Sequence, residues 1–198
     1  MVKKNISVII QARLNSSRFP KKILSKIKNK TILEILIKRI LKSKKIDDII
    51  IACTRKKEDD KIVKICQNYN VKIFRGSEKN VFDRYHKAAK KFKIKNIIRL
   101  TSDCPLIDTK ILDNFIEKFF LGNFDYLSNT INPTFPDGMD IEIFKYKIMN
   151  EKIFKTISAH EKEHVTFGFH NKSKYKIYNF KSDKDYSKFR LTIDTKKD

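Results

Sequence analysis

The first half of the chain alternates short apolar runs with longer segments in which apolar residues recur at helical spacing. The short runs are rich in Ile, Val and Phe, as buried strands are. They predict four strands, at residues 6–10, 48–52, 71–74 and 96–100. The longer segments predict three helices, at residues 31–42, 59–69 and 81–92. Strands joined by such helices form right-handed crossovers, so the pattern predicts a mostly parallel sheet covered by helices.

The predicted helix at 31–42 has the clearest pattern. One stripe carries Leu33, Leu36, Ile37 and Ile40, as on a helix that packs against a sheet. Thr31 precedes it, and Glu34 follows three residues later. This pair is typical of a capping box, in which each residue bonds to the backbone of the other.

The second half of the chain changes character. Helical spacing predicts a helix at 111–120, and the segment 125–129 is predicted to be extended. Alternation with a period of two predicts strands at 140–144 and 174–180, and an apolar run predicts a last strand at 189–193. No linker rich in Gly, Ser or Pro interrupts residues 1–198. The chain is therefore interpreted as a single α/β domain with an antiparallel excursion after a parallel core.

The charge is strongly unbalanced, with 45 Lys and Arg against 23 Asp and Glu, a formal net charge of +22. Lys accounts for 37 of these cations and Arg for only 8, and the Lys residues are scattered. A nucleic-acid groove typically concentrates Arg and interleaves aromatic residues. We therefore expect a general attraction for phosphates and no specific nucleic-acid partner.

Several classes of protein are excluded by composition. Lys interrupts every hydrophobic run, so none approaches the roughly 18 apolar residues of a membrane span. The amino-terminal residues lack the pattern of a secretory leader, which predicts a cytoplasmic location. The cysteines Cys53, Cys66 and Cys104 are odd in number and far apart. They predict buried free thiols and exclude a disulfide framework or a CxxC metal site.

The loop after the first predicted strand, residues 11–22, is rich in cations and hydroxyls. In open α/β folds, ligands bind at the carboxyl ends of the strands, where this loop lies. Its hydrogen-bond donors include Arg13, Ser17, Arg18 and Lys22. Such donors suit a polyphosphate. A solvated basic loop is the alternative, and the position after the first strand favours phosphate binding.

Two further predicted strands end in a carboxylate. Asp103 follows the fourth strand, just before Pro105, and Asp194 follows the apolar run at 189–193. Carboxylate oxygens suit a hard cation, and two strand-end carboxylates on neighbouring strands can share one Mg²⁺. An ordinary turn before a helix is the alternative for Asp103. Asp108 is interpreted as the residue that caps the next helix.

Six sequence blocks, in order along nearly the whole chain, carry a family resemblance. They are IIQAR with SRFPKK at 9–22, RGSE with VFDRY at 75–85, TSDCPLID at 101–108, TFPDGMD at 134–140, EHVT at 163–166 and RLTIDT at 190–195. The chain resembles the cytidylyltransferases that make CMP-activated sugar acids, the family of CMP-Kdo synthetase and acylneuraminate cytidylyltransferase. The resemblance is closest to the members named for spore-coat polysaccharide biosynthesis.

The resemblance implies a Rossmann-like nucleotide-diphospho-sugar transferase fold, with a mostly parallel mixed sheet flanked by helices. It implies CTP as donor, a sugar as acceptor, Mg²⁺ as cofactor and a homodimer. A sugar hydroxyl would attack the α-phosphorus of CTP and release pyrophosphate. The implied nucleotide-binding residues in the opening loop are Arg13, Ser17, Arg18 and Lys22. Asp103 and Asp194 match the metal ligands of the family, and the implied catalytic residues are Arg13, Arg18, Lys22 and Asp103.

The family's other contacts are implied in the same way. Arg75 and Ser77 match segments near the base, and the alternative is that they only shape a loop. Residues matched toward the sugar pocket or the dimer contact are Asp137, Asp140, Glu142 and His164. The alternatives are a turn followed by outward-facing strand positions, and for His164 a helix-capping or interface role.

The chain departs from the family pattern at two places. Lys21 stands where the family usually has Gly, which is expected to hinder the close backbone approach that Gly permits. The chain also stops four residues after Asp194, where relatives normally continue with another helix. This predicts a domain that is truncated at its carboxyl end.

Within the same fold, a nucleotidyltransferase that uses another NTP, or a glycosyltransferase-like enzyme, is an alternative. Two functions of other classes also compete. Residues His160 to His164 fit the zinc-protease pattern HExxH, with His170 as a possible third ligand. The required Gly is displaced by one position, at Gly168, so this match is remote. The other alternative is a polyanion-binding module that keeps the nucleotide-binding fold and has lost turnover.

Overall fold

The computed structural model describes residues 4–16, 19–149, 157–169 and 173–198. The strands are β1 (Ile6–Gln11), β2 (Lys26–Ile27), β3 (Lys30–Thr31), β4 (Asp48–Thr54), β5 (Lys72–Gly76), β6 (Asn96–Thr101), β7 (Tyr126–Ser128), β8 (Glu142–Lys145) and β9 (Ile177–Asn179). The α-helices are α1 (Ile32–Ile40), α2 (Asp60–Gln67), α3 (Val81–Lys91), α4 (Thr109–Leu121) and α5 (Ala159–His164). Short 3-10 helices lie at Lys22–Leu24, Lys57–Asp59, Tyr146–Ile148 and Phe167–Phe169.

A seven-stranded sheet has the order β5-β4-β1-β6-β8-β7-β9. Strand β1 lies between β4 and β6 and is parallel to both, and β4 is parallel to β5. Strand β8 is antiparallel to both of its neighbours, while β9 is parallel to β7. The predicted parallel core with an antiparallel excursion is therefore confirmed. The small hairpin of β2 and β3 is an addition that the sequence pattern did not predict.

Apolar side chains cover both faces of the sheet, because successive residues of a strand point to opposite faces. On one face, Val8 and Ile10 pack in a cluster with residues of α1, α2 and α4. On the other, Ile9 and Ile50 pack in a cluster with residues of α3. Full burial of one such side chain contributes about 1.5–3 kcal/mol. Helix and strand alternation in the sequence thus produces a three-layer core.

The two predicted helix caps are confirmed. The Thr31 side chain accepts a hydrogen bond from the Glu34 N–H, and the Glu34 carboxylate accepts one from the Thr31 N–H. Asp108 caps α4, and its side chain accepts from the backbone N–H groups of Lys110 and Ile111. Asp108 is thereby engaged in structure, as predicted.

The predicted last strand at 189–193 is wrong. This segment shares one isolated parallel bridge with the chain, between Asp137 and Arg190. Three residues after Arg190 its partner changes, and the Ile193 N–H donates to the carbonyl oxygen of Asp103 at 2.9 Å. A segment that switches partners within three residues cannot build a continuous ladder. It is an extended segment that crosses the end of the sheet and is held there by single backbone bonds.

A close approach of two backbones fixes where this segment lies. Gly138 has a φ of +95°, and a Cβ added there would lie 2.6 Å from the Thr192 nitrogen. Only Gly adopts this conformation readily and leaves room for the neighbouring chain. Gly138 therefore lets residues 190–194 pass close to the turn that precedes β8.

The three cysteines are free and buried, as predicted. Burial raises the pKa of the Cys53 thiol to about 11 and those of Cys66 and Cys104 to about 12. They therefore remain neutral near pH 7 and pack as small apolar groups. Among the described helices, none has the length and apolar character that crossing a bilayer requires.

Candidate active site

A cleft of about 460 Å³ opens at the carboxyl ends of β1 and β6. The loop after β1 contributes Arg13 and Lys22 to its wall, and the loop after β6 contributes Asp103. The extended segment contributes Thr192 and Asp194. The loops after β1 and β6 meet in this cleft because parallel strands end at the same sheet edge. The extended segment reaches the cleft through its backbone bond to Asp103.

Lys22 bridges the carboxylates of Asp103 and Asp194. Its Nζ atom lies 2.6 Å from Asp103 Oδ2 and 2.9 Å from Asp194 Oδ1. The Lys22 side chain is only 12% exposed, so these contacts are largely shielded from water. The structure therefore brings together three of the residues predicted from the sequence.

Local backbone structure aims Lys22 into the cleft. Lys22 begins a 3-10 helix, and the preceding Lys21 has a φ of 59°, in the left-handed region. The Lys21 N–H donates to the Leu14 carbonyl at 2.8 Å and so folds the loop back on itself. Lys21 thus adopts the conformation that Gly favours. The departure from the family's Gly does not prevent the loop from forming this turn.

Asp194 reaches the cleft because its segment is tied to Asp103. The Asp103 carbonyl oxygen accepts from the Ile193 N–H at 2.9 Å and from the Thr192 hydroxyl at 3.4 Å. On the far side, the Asp198 carboxylate accepts from the Asp194 N–H at 2.8 Å. Backbone bonds therefore place the second carboxylate beside the first.

The electrostatics of the cleft keep its central groups charged. Burial alone raises the pKa of Asp103, but hydrogen bonding and the charge of Lys22 outweigh burial and hold it below its usual value. Burial lowers the pKa of Lys22, yet Asp103 and Asp194 raise it overall. A carboxylate and an ammonium at this distance stabilise each other's ionised form.

The two carboxylates form a donor set that fits a divalent cation. Asp103 and Asp194 already flank one positive charge, that of Lys22. Within the described ranges, no cluster of three or more His, Cys, Asp or Glu side chains could hold a metal by itself. Mg²⁺ in nucleotide sites is commonly held by one or two carboxylates together with phosphate oxygens and water. Asp103 and Asp194 match that arrangement.

Of the other residues predicted in the opening loop, the structure describes Arg13. Arg13 lines the cleft with its side chain 45% exposed, and its Nη2 atom lies 3.7 Å from Glu163 Oε1. An exposed pair at this distance leaves the Arg13 guanidinium available to a ligand. Ser17 and Arg18, which the sequence also predicted, lie outside the described residues.

Arg75 and Ser77 are not brought into the lining of the cleft. The Arg75 guanidinium donates to the carbonyl oxygen of Thr54 at 2.9 Å and to Asp60 Oδ1 at 2.5 Å. The Ser77 hydroxyl accepts from the Asn80 N–H at 3.1 Å, just before α3. These contacts favour the alternative in which both residues shape loops.

A second cavity of about 300 Å³ lies beside the cleft. Asp140 and His164 line both, while Asp137 lines only the cleft and Glu142 only the cavity. Burial, with a smaller contribution from Asp137 and Glu142, raises the pKa of Asp140 to about 6. Burial and the nearby His160 lower the pKa of His164.

Glu142 is an inward-facing residue, so the outward strand position considered for it is wrong. It is 3% exposed and forms an ion pair with the Arg99 guanidinium. Its other carboxylate oxygen accepts from the Tyr126 hydroxyl at 2.7 Å. Arg99 lines both the cleft and the cavity. Glu142 therefore holds a largely buried cation, 12% exposed, at the boundary of the two spaces.

Arg84 is a cleft residue that the sequence reasoning missed. It is 1% exposed, and its Nη1 atom donates to the Ser77 carbonyl at 2.7 Å. Its Nε atom finds no hydrogen-bond partner within the part of the chain that the structure describes. The signal was available, because Arg84 lies three residues after Val81 and four before Ala88, inside the apolar stripe of α3.

The HExxH segment does not form a protease site in the described part of the chain. Glu161 closes a capping box with Ser158 at the start of α5, so its carboxylate is bonded to the backbone. The rings of His160 and His164 lie 4.3 Å apart, between centroids. His170 lies outside the described residues.

The chain is similar to known proteins over nearly its whole length. A family model described as cytidylyltransferase matches residues 7–195. The spore coat polysaccharide biosynthesis protein SpsF of Bacillus subtilis is 33% identical over 202 residues, which cover 98% of this chain and 83% of SpsF.

Two solved structures are similar to this chain in fold. A cytidylyltransferase from Leptospira borgpetersenii is 38% identical, with a TM-score of 0.91, over 96% of this chain and 82% of that one. A CMP:2-keto-3-deoxy-manno-octonic acid synthetase complexed with CTP is 15% identical, with a TM-score of 0.72, over 97% and 94%. The latter supports the nucleotidyltransferase fold alone. From its sequence match and its architecture, the chain belongs to the cytidylyltransferase family.

Proposed function

We propose that this chain transfers CMP from CTP to a sugar, a sugar acid in our interpretation, and releases pyrophosphate. The reaction would serve the biosynthesis of a surface polysaccharide or glycan in the cytoplasm. The observation that carries the proposal is the convergence of Lys22, Asp103 and Asp194 in one cleft at the carboxyl ends of β1 and β6. The B. subtilis relative named for spore coat polysaccharide supports this assignment.

The cationic side of the cleft suits a triphosphate. Arg13, Lys22 and Arg84 line it. Guanidinium groups donate planar pairs of hydrogen bonds to phosphate, and Lys offers a compact charge. These residues would bind and orient the phosphates, and we propose the same role for Ser17 and Arg18 in this loop. Pyrophosphate would leave as its growing charge meets the cations.

Asp103 and Asp194 are the proposed ligands of a divalent cation, which we propose is Mg²⁺. Such an ion, when bound, screens the phosphate charges and stabilises the leaving oxygen. The Asp103 carboxylate holds its charge because Lys22 keeps the pKa of Asp103 below its usual value, against the opposing effect of burial. Asp103 is therefore ionised at neutral pH and ready to ligate a cation.

The second cavity is the proposed site of the acceptor. Its volume of about 300 Å³ and its polar lining by Thr130, His160 and Thr166 suit a small hydroxylated molecule. Asp140 and His164 lie at the boundary with the nucleotide cleft. We propose that they hydrogen-bond the acceptor, and that the hydroxyl approaches the α-phosphorus from this side. Asp137 lies at the cleft end of the same boundary.

One experiment tests the assignment directly. Thermal unfolding of the full chain is measured with ATP, CTP, GTP and UTP, each with and without Mg²⁺. A ligand that binds the native state raises the unfolding temperature. We expect the largest rise with CTP and Mg²⁺. Equal shifts with all four nucleotides would contradict the proposed donor.

A polyanion-binding function is the second candidate, and the net charge of +22 favours it. Nucleic-acid binding that rests on phosphate contacts weakens steeply with salt. A module of this kind would bind RNA or DNA at low salt and release no pyrophosphate from CTP with any sugar. Pyrophosphate release with a sugar acid would rule out a purely binding role.

A further inference from the structure

The proposed metal ligands already hold a cation that belongs to the chain. Lys22 Nζ lies 2.6 Å from Asp103 Oδ2 and 2.9 Å from Asp194 Oδ1. Oxygen ligands lie about 2.0–2.1 Å from Mg²⁺. An ion that bridged these two oxygens would therefore coincide with the ammonium group. Lys22 and a bridging ion cannot occupy the carboxylate pair together.

The charges around the pair oppose the entry of a bare ion. Asp103 and Asp194 carry two negative charges, and Lys22 balances one of them. Arg190 Nη2 lies 3.3 Å from the other oxygen of Asp194. A divalent cation entering here meets like charges at close range, and like charges repel strongly where water is partly excluded.

The geometry allows Lys22 to leave without moving the loop. The Lys22 N–H donates to the Phe19 carbonyl at 3.2 Å, and its own carbonyl accepts from the Ser25 N–H at 3.0 Å. The backbone is thus anchored on both sides, whereas the side chain has four rotatable bonds. Lys22 and Arg13 line the same cleft, so a triphosphate there offers the ammonium another anionic partner.

We infer that Lys22 is a displaceable internal cation that makes divalent-cation binding conditional on the nucleotide. The triphosphate binds first and draws the Lys22 ammonium away from Asp103 and Asp194. The two carboxylates are then released to a cation that is also ligated by phosphate oxygens. This inference rests on the proposed function, since it takes a nucleoside triphosphate as the first ligand.

The first test titrates Mn²⁺ into the full chain without nucleotide and follows free Mn²⁺ by electron paramagnetic resonance. The wild-type chain should bind it weakly. Lys22→Met removes the charge and keeps an unbranched side chain, and it should bind Mn²⁺ at least about tenfold more tightly because a close like charge is gone. The gain should disappear in the double variant Lys22→Met with Asp103→Asn.

Lys21→Met is the matched control, because Lys21 is the exposed neighbour of Lys22. It removes the same charge from the same loop and should bind Mn²⁺ as the wild type does. Circular dichroism checks that each variant is folded. Equal Mn²⁺ affinity in the wild type and Lys22→Met would overturn the inference, as would an equal gain in Lys21→Met.

A second measurement needs no variant. Isothermal titration of wild-type chain with CTP in the presence of EDTA should show binding, because the nucleotide is expected to come first. Binding of CTP only when Mn²⁺ is present would overturn the order of binding and leave the proposed function intact. Failure to bind CTP with or without Mn²⁺ would instead contradict the proposed function itself.

Discussion

Lys22 and Asp103 are separated by 81 positions in the sequence, yet the ammonium of one donates to the carboxylate of the other at 2.6 Å. Each residue follows a strand of the parallel core, and the two strands are adjacent in the sheet. The contact is therefore a direct product of the topology. It joins the proposed phosphate-binding loop to the proposed metal ligand, and four predictions test what the cleft does.

Asp103→Asn should lower CTP-dependent pyrophosphate release by at least about 100-fold, because an amide is a weaker ligand for a hard cation and stabilises less charge. A coupled pyrophosphate assay with a sugar-acid acceptor measures this. Asp183→Asn, at an exposed aspartate, is the control and should leave the rate unchanged. Wild-type turnover in Asp103→Asn would show that the metal assignment is wrong.

Arg13→Ala should weaken CTP binding by roughly 10- to 100-fold, the range expected for one charge-assisted hydrogen bond. Its partner Glu163 is exposed and distant enough that stability should change little. Calorimetric titration at two salt concentrations measures the affinity, and the loss should shrink at high salt. Arg55→Ala removes an exposed Arg elsewhere and should bind CTP as the wild type does.

Asp140 should make stability fall between about pH 4 and pH 6. Burial raises the folded-state pKa of Asp140 to about 6, above its value of 3.8 in the absence of the fold. Between these values the unfolded chain loses the proton and the folded chain keeps it, so the free energy of unfolding decreases as the pH rises.

Asp140→Asn should abolish that part of the decrease. The free energy of unfolding of Asp140→Asn minus that of the wild type should therefore be roughly 2 kcal/mol larger at pH 7 than at pH 3.5. Urea unfolding across this range gives the free energies. Asp183→Asn is the control, and its stability should depend on pH as that of the wild type does. A parallel profile in Asp140→Asn would mean that the Asp140 carboxyl titrates normally.

Glu142→Gln should destabilise the fold by about 3–5 kcal/mol, since it leaves the buried charge of Arg99 without its counter-ion. The double variant Arg99→Met with Glu142→Leu should be less destabilised, because it removes both charges and keeps apolar volume. Urea unfolding of the two proteins measures the difference. If the double variant were less stable than Glu142→Gln, the ion pair would contribute more to stability than its desolvation costs.

Most of the fold could be predicted from the sequence because its elements have strong local signals. The four core strands are apolar runs, and α1 and α4 begin at capping residues that the sequence displays, Thr31 and Asp108. The segment 189–193 is also an apolar run, so the sequence pattern predicts a strand there too. Its bonding depends on which backbones lie nearby, and periodicity carries no information about that.

The site was predictable in part for a related reason. Lys22 and Asp103 lie in loops that follow strands of the parallel core, and parallel strands end at one edge of the sheet. Asp194 was expected at the end of a strand, and it reaches the same edge through backbone bonds of an extended segment instead. Arg75 lies near the end of β5, but its guanidinium donates to the Thr54 carbonyl and to Asp60, 21 and 15 positions earlier in the chain. The burial of Arg84 and Glu142 depends on packing between α3, β8 and their neighbours. Sequence spacing alone does not show whether a charged residue faces inward.

The backbone is held differently at the two proposed metal ligands, Asp103 and Asp194. Asp103 follows β6, which is hydrogen-bonded to a strand on each side. Asp194 sits on a segment joined to the rest by one bridge and a few single bonds. Local opening is easiest where backbone bonding is sparse. We therefore expect the position of Asp194, rather than that of Asp103, to adjust when ligands of different size bind in the cleft.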